Sequence, residues 1–252
     1  SNRSFENVIL MPMPKDTATL TISLISNRRQ IAGSITETIS PTDILIRKTG
    51  EEPAPYEVLN KAANQEKCIH IAFLAEGYTD KEMDKFINDA RIATDAIFAH
   101  EPFRKNQDRF QVIAVKSASE DSGTSVPSKG IWKKTALGSN FDTFYSERYL
   151  TTLNLNRVHD CLAGTPYEHI IILVNTDVYG GGGILNFSNL SSTGHKAYKP
   201  VIVHEFGHSF AGLADEYAYE NEPLELYPAD IEPWEANITT LVNFHGKWEN
   251  MI

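Results

Sequence analysis

Positive charge is the first thing this sequence is short of. Lys and Arg number 23 against 33 Asp and Glu, a formal net charge of −10. Phosphate backbones are held by clustered basic side chains, so a nucleic-acid partner is not expected. Long apolar runs are also missing. No stretch reaches the roughly 18 residues that a membrane-spanning helix needs, so no segment is expected to span a membrane. Cysteine is scarce, Cys68 and Cys161 alone. Spacing cannot decide whether they are bonded, each reads as a small buried hydrophobe, and the redox compartment stays open. The chain opens SNRSFENVIL, with no initiator Met, basic n-region or apolar h-region. It has the look of a processed chain.

What is present is a globular composition. With 252 residues, 41% hydrophobic and 22% charged, the chain can bury one substantial domain and a small accessory one. Residues 1–50 are rich in Thr, Ile and Ser in near alternation, with SNRRQ placed to turn one strand into the next. They predict a small all-β unit, the end of an N-terminal β domain. Residues 51–67 carry two prolines and charge and predict a linker. From Cys68 onward the texture changes. IHIAFLAEGY, RFQVIAVKS and EHIIILVN predict buried strands. TDKEMDKFINDARIATDAIFAH predicts a helix capped by Thr79 and Glu82, with Phe86, Ala90, Ala93 and Ile97 on its core face. NFDTFYSERYLTTLNLNRVHDCLAG predicts a second helix stopped by Gly164. Strands alternating with helices predict βαβ units and a largely parallel sheet.

The chemistry concentrates in KPVIVHEFGHSFAGLADEY, residues 199–217. His204, Glu205 and His208 form H-E-x-x-H, which random placement of 8 His among 252 residues would produce about 0.02 times per chain. At i and i+4 both imidazoles project from one helical face. Two neutral imidazoles one turn apart can share a zinc ion at about 2.0–2.1 Å each. Glu205, beside the first ligand, is placed to take a proton from a zinc-bound water whose pKa falls to about 7. Val201, Ile202, Val203, Phe206 and Phe210 make the helix apolar enough to lie in a core. For the third ligand, Asp215 shares the helical face of His208 but lies about 10.5 Å further along an unbroken helix. A left-handed glycine at Gly212 would end the helix and bring the acids back. Asp215 then has the better angular claim, Glu216 is the alternative, and His195 is a more distant one.

These residues resemble the metzincin metallopeptidases, whose pattern is H-E-x-x-H-x-x-G-x-x-H or D, except that Gly212 and the acid each come one residue late. With HSFAGLADEY, IAFLAEGYT, PFRKNQDRFQVIAV followed by SEDSG, and LVNTDVYGGGG, the chain resembles peptidase family M64, the secreted bacterial IgA-cleaving type. The resemblance runs from about Cys68 to Trp248. It implies a zinc metallopeptidase domain over 68–252, an αβα sandwich of metzincin type behind the small β unit. It further implies zinc on His204 and His208 with Glu205 as general base, a protein or peptide substrate, and a secreted, periplasmic or cell-surface location. It does not imply that IgA is cut. Metzincins carry a methionine turn beneath the metal. Here the only methionine downstream is Met251, so the floor is expected either beyond residue 252 or built differently.

Two rival readings use the same residues: a binding module with a structural metal, and a zinc hydrolase of a non-peptide amide. Glu205 argues against the first, because a structural site needs no base. Gly180, Gly181, Gly182 and Gly183 lack the Lys-Ser/Thr of a phosphate loop and are expected instead at an edge strand that pairs with substrate backbone. Tyr217 is a candidate oxyanion donor, with packing behind the ligand turn as the plainer role. Glu76 is expected to cap the next helix or line the cleft. EDSG at 120–123 carries too few carboxylates for a calcium site. His159, His169, His195 and His245 are expected to be isolated surface residues.

Overall fold

The computed structural model describes residues 11–26, 28–46, 50, 52–217 and 227–252. Its packing divides into two compact units, residues 49–212 and a discontinuous unit of 1–48 with 213–252.

In the discontinuous unit, β1 (Ala18–Ile25) and β2 (Ile31–Ile39) pair antiparallel from Ala18↔Ile39 up to a bulge at Leu24/Ile25. Of the SNRRQ stretch, Ser26, Arg28, Arg29 and Gln30 lie between the two strands, as its composition predicts, while Asn27 lies outside the described residues. Arg28 bonds Asp230 at 2.8 Å, and the Arg29 guanidinium sits 5.1 Å from the Trp234 ring centre. Inside this unit Lys247 Nζ donates to Glu232 at 3.0 Å, Pro233 O at 3.0 Å and Ile238 O at 2.7 Å. Burial opposes ionisation of Glu232. The Asn243 N–H, the Thr239 hydroxyl and the Lys247 ammonium overcome it and hold the carboxyl at about 2.

The 49–212 unit is mixed α/β, built on a six-stranded sheet. Its strands are β3 (Tyr56–Asn60), β4 (Ile69–Glu76), β5 (Phe110–Val115), β6 (His169–Val174), β7 (Gly181–Ile184) and β8 (Ser188–Ser192), in the order β3-β5-β4-β6-β8-β7. The four inner strands run parallel, while β3 and β7 close the edges antiparallel. Three of the inner strands, β4, β5 and β6, read as apolar runs because both faces are covered. On one face, α1 (Met83–Phe98) and α3 (Tyr198–Ala211) enclose Phe73, Phe86, Ile97, Ile171, Ile202 and Phe206. On the other, α2 (Leu155–Cys161) and the preceding loop bury Leu74, Leu137, Phe141, Leu150, Val158 and Ile172. The entry to α1 follows its sequence signal: the Thr79 N–H and hydroxyl donate to Glu82 Oε2 at 2.9 and 2.8 Å. Phe86, Ala90, Ala93 and Ile97 are all at most 2% exposed.

Three expectations change. The linker stretch contains β3, an edge strand whose Glu57 pairs with Lys116 at 2.8 Å and with Arg91 at 3.3 Å. The second helix shrinks to residues 155–161, because residues 140–153 fold otherwise. Asn140 bridges Thr151, Asp142 takes a left-handed φ of 60°, and the Thr151 and Thr143 hydroxyls bond at 3.0 Å. Asn, Asp and Thr side chains that bond nearby groups in this way compete with helix formation. Cys68 and Cys161 are free thiols and only half-buried.

Glu76 neither caps a helix nor lines a cleft. Fully buried at the end of β4, its carboxylate accepts from the Thr135 hydroxyl and from the Leu137 and Ser139 N–H groups, both at 2.7 Å. It thereby anchors the loop that carries Leu137 and Phe141 into the core. The EDSG turn is likewise structural. Gly123 N–H donates to Gly77 O at 2.9 Å, Ser122 bonds Glu82 at 2.9 Å, and Asp121 accepts from Lys134 N–H at 2.8 Å. Glu76→Ala strands three buried donors, and each such donor costs about 1–3 kcal/mol. Urea unfolding of Glu76→Ala is therefore expected to show a loss on the order of 3 kcal/mol or more, with a smaller loss for Glu76→Gln.

Candidate active site

Helix α3 is fixed along its apolar side before any of its polar groups are placed. Tyr198, Ile202 and Phe206 are buried, and the Tyr198 hydroxyl donates to Asp89 O of α1 at 2.9 Å. Phe206 and Phe210 stack on Phe103 at 5.2 and 5.3 Å, and the His169 ring lies 4.5 Å from Phe210. The opposite side carries His204, which is exposed, with Glu205 and His208 half-buried. The helix ends at Gly212, whose φ of 62° and ψ of 36° are left-handed and whose N–H bonds His208 O at 2.9 Å. The predicted stop is therefore present.

His204 Nε2 and His208 Nε2 lie 3.1 Å apart, their rings nearly perpendicular at 85°. A carboxylate oxygen of Asp215 joins them, with all three ligand atoms within 4.8 Å of one another. Among the described residues these three are the one group of His, Cys, Asp or Glu so placed. The donor set suits zinc: two nitrogens each about 2.05 Å from a tetrahedral ion stand about 3.3 Å apart. Glu216 is turned elsewhere. Its carboxylate accepts from Asn237 Nδ2 at 2.8 Å, while the Asn237 amide also bonds both the N–H and the C=O of Ala214, each at 2.8 Å. Asn237 thus clamps the residues on either side of Asp215. No sequence signal marks it, since it lies in an irregular segment far down the chain. His195 stands apart from this group. Its Nδ1 accepts from Ala197 N–H at 3.2 Å and its ring packs on Tyr179. Tyr217 follows the turn and is 57% exposed.

Gly181, Gly182 and Gly183 lie in the edge strand β7, with Gly180 just before it. Gly181 and Gly183 face α3. A Cβ on Gly181 would lie 2.6 Å from Glu205 Oε1, and one on Gly183 would lie 2.5 Å from Glu205 O and 2.9 Å from His208 Cβ. On the other side a Gly182 Cβ would meet Leu150 O at 3.3 Å, and a Gly180 Cβ would strike the Phe141 ring. Tyr149 also pairs with Gly181 from outside the sheet. Glycine is required here by the chain's own packing.

Two of the remaining histidines are not surface residues. His159 bonds the Tyr167 hydroxyl at 2.9 Å, and His169 packs on Phe206 and Phe210. Burial holds both below the ordinary imidazole range, the neighbouring Asp160 and Glu168 opposing the shift only in part. His245 is exposed and ion-paired with Glu249.

A family model for IgA Peptidase M64 matches residues 58–252. The chain therefore belongs to the M64 peptidase family, and its substrate class is protein or peptide. No curated protein matches it at a significant level. The matched region starts within β3 and leaves the β1–β2 hairpin outside. Among the described residues no helix is long and apolar enough to cross a membrane.

Two expectations follow from this geometry. Asn237→Ala frees the turn that presents Asp215, so the affinity of this cluster for an added divalent metal ion, read by chelator competition, is expected to fall about ten- to a hundredfold, the usual effect of losing a group that orients a ligand. The second concerns pH. The native state binds fewer protons at His159 and His169 than the unfolded chain does, so stability rises with pH through this window and is lost as pH falls below about 6.5. Urea midpoints are expected to drop between pH 7.5 and 5.5, with a shallower drop in His169→Phe.

Proposed function

We propose that this peptidase is zinc-dependent, with His204, His208 and Asp215 as ligands and Glu205 as general base. The observation that carries the reading is the convergence of the two Nε2 atoms and the Asp215 carboxylate on one point. Zinc held there would supply a Lewis acid that acidifies a water and polarises the scissile carbonyl. Glu205, one residue from His204 and half-buried against β7, takes the proton of the attacking water and delivers it to the leaving amine nitrogen. The outer edge of β7 from Gly182 to Ile184, opposite its ladder with β8, offers backbone groups to an extended peptide. Tyr217, beside the ligand turn, donates to the developing oxyanion. The wider reading is a metzincin-type αβα catalytic domain, bacterial, acting outside the cytoplasm. The cleavage preference and any action on IgA lie outside it.

Metal analysis of the purified chain tests the site. About one zinc per chain is expected, lost in Asp215→Ala and kept in Glu216→Ala. Glu205→Gln is expected to keep zinc while hydrolysis of fluorescein-labelled casein falls about a thousandfold, within the range for loss of a general base. A chain that holds no zinc even after reconstitution would sink the proposal. Zinc lost with Glu216 and kept without Asp215 would move the third ligand.

A further inference from the structure

The structure assigns Gly181 a role of its own, which rests on the function proposed above: it is a positioning residue for the Glu205 carboxylate. Gly181 and Gly183 lie on the same face of β7, beneath α3, but they meet different parts of it. A Cβ at 181 would approach the tip of one side chain, at 2.6 Å from Glu205 Oε1 and 3.1 Å from both Cδ and Cγ. A Cβ at 183 would approach chiefly the helix itself, at 2.5 Å from Glu205 O and 2.9 Å from His208 Cβ, with Glu205 Oε2 a looser neighbour at 3.2 Å. Carbon atoms at their best separation stand about 3.5–4.0 Å apart, so neither methyl fits without movement. The movement differs. At 183 a backbone must shift. At 181 only the end of a flexible side chain must leave.

The strand beneath is itself held in place. Gly181 pairs with Ser191 and Gly183 with Asn189 in the β7–β8 ladder, so all four residues line the floor under α3. Ser191 and Asn189 are fully buried, and Asn189 donates to Ser209 of α3 at 3.4 Å. Tyr149 closes the outer edge of β7 at Gly181. The seat of the carboxylate is thus set by the missing Cβ at one position on a sheet edge held from both sides. A base displaced by even about 1 Å loses rate on the order of a hundredfold, because its proton transfer depends on alignment.

The test pairs Gly181→Ala with Gly183→Ala, each alone and in a Glu205→Ala background. Zinc content, urea midpoints, and kcat and KM on fluorescein-labelled casein are measured for each. Gly181→Ala is expected to keep one zinc per chain and to lower kcat about ten- to a hundredfold with KM within about twofold. Its cost in urea midpoint is expected to vanish when Glu205 is Ala, since the atoms it strikes are gone. Gly183→Ala is expected to keep most of its midpoint cost in the Glu205→Ala background, since Glu205 O and His208 Cβ remain. If Gly181→Ala fails to fold but the Gly181→Ala/Glu205→Ala protein folds, the assignment stands. If both fail, or if the midpoint cost is the same in both backgrounds, the glycine serves the sheet and the assignment falls. Unchanged kcat in Gly181→Ala, with the native chain binding zinc and cleaving casein, also overturns it and leaves the proposed function intact. A native chain without zinc or cleavage overturns both.

Discussion

The closeness of α3 to the β7–β8 hairpin is the constraint from which the rest of the site follows. A helix normally rides on a sheet through a layer of large side chains. Here the layer is reduced to Gly181, Gly183, Asn189 and Ser191. The approach has an energetic cost. The Ser191 hydroxyl and Asn189 Oδ1, on the α3 face of β8, are buried with no partner among the described residues, and such groups each cost about 1–3 kcal/mol unless water reaches them. Larger apolar residues in β8 would remove that cost and push the helix outward. The hydrophobic anchoring of α3 along Ile202 and Phe206, reinforced by the Phe103, Phe110 and His169 rings, offsets it from the other side of the helix.

Two different kinds of rigidity then meet at the cluster. The separation of His204 and His208 is fixed by helical pitch alone, since residues four apart stack on one face. The acid has no such guarantee, because past Gly212 the chain leaves regular structure. Its position relies on Asn237, whose one amide satisfies both backbone groups of Ala214 and the Glu216 carboxylate. Which acid joins the histidines depends on this clamp as much as on spacing: it occupies the Glu216 carboxylate and leaves that of Asp215 in the cluster.

The legible parts of the sequence were those whose signal is local and periodic. The α1 face, the Thr79/Glu82 entry, the three apolar strands and the Gly212 stop all obey short-range rules. So did the His204/His208 pairing. The failures share a cause as well. Residues 140–153 carry helical spacing, but their Asn, Asp and Thr groups bond locally instead, and the loop that leads Leu137 and Phe141 into the core is anchored by Glu76, a contact spanning some sixty positions. β8, SNLSS, has no apolar period to announce a buried central strand, because its burial is dictated by the helix above it. β3 hides behind Pro53 and Pro55, which read as linker chemistry although an edge strand tolerates them at its start. Asn237 gives no sign in sequence, as its partners lie more than twenty residues away.

The glycine strand shows how one residue choice can serve two masters with opposite demands. Seen from α3, the glycines of β7 are required by the helix, whose Glu205 and His208 fill the space that side chains would take. Seen from the cleft, the same strand is the sheet edge along which an extended peptide would pair. Tyr149 already engages Gly181, so such a peptide finds free backbone only from Gly182 to Ile184. That is too short a ladder to hold a substrate by backbone bonds alone. Affinity must then come from side-chain contacts beyond β7, and the surfaces flanking it (Tyr149 on one side, Ile184 and Leu185 on the other) are apolar and partly exposed. A peptide seated on this edge would therefore be selected by the residues around the glycines, which themselves leave the space that the Glu205 carboxylate fills.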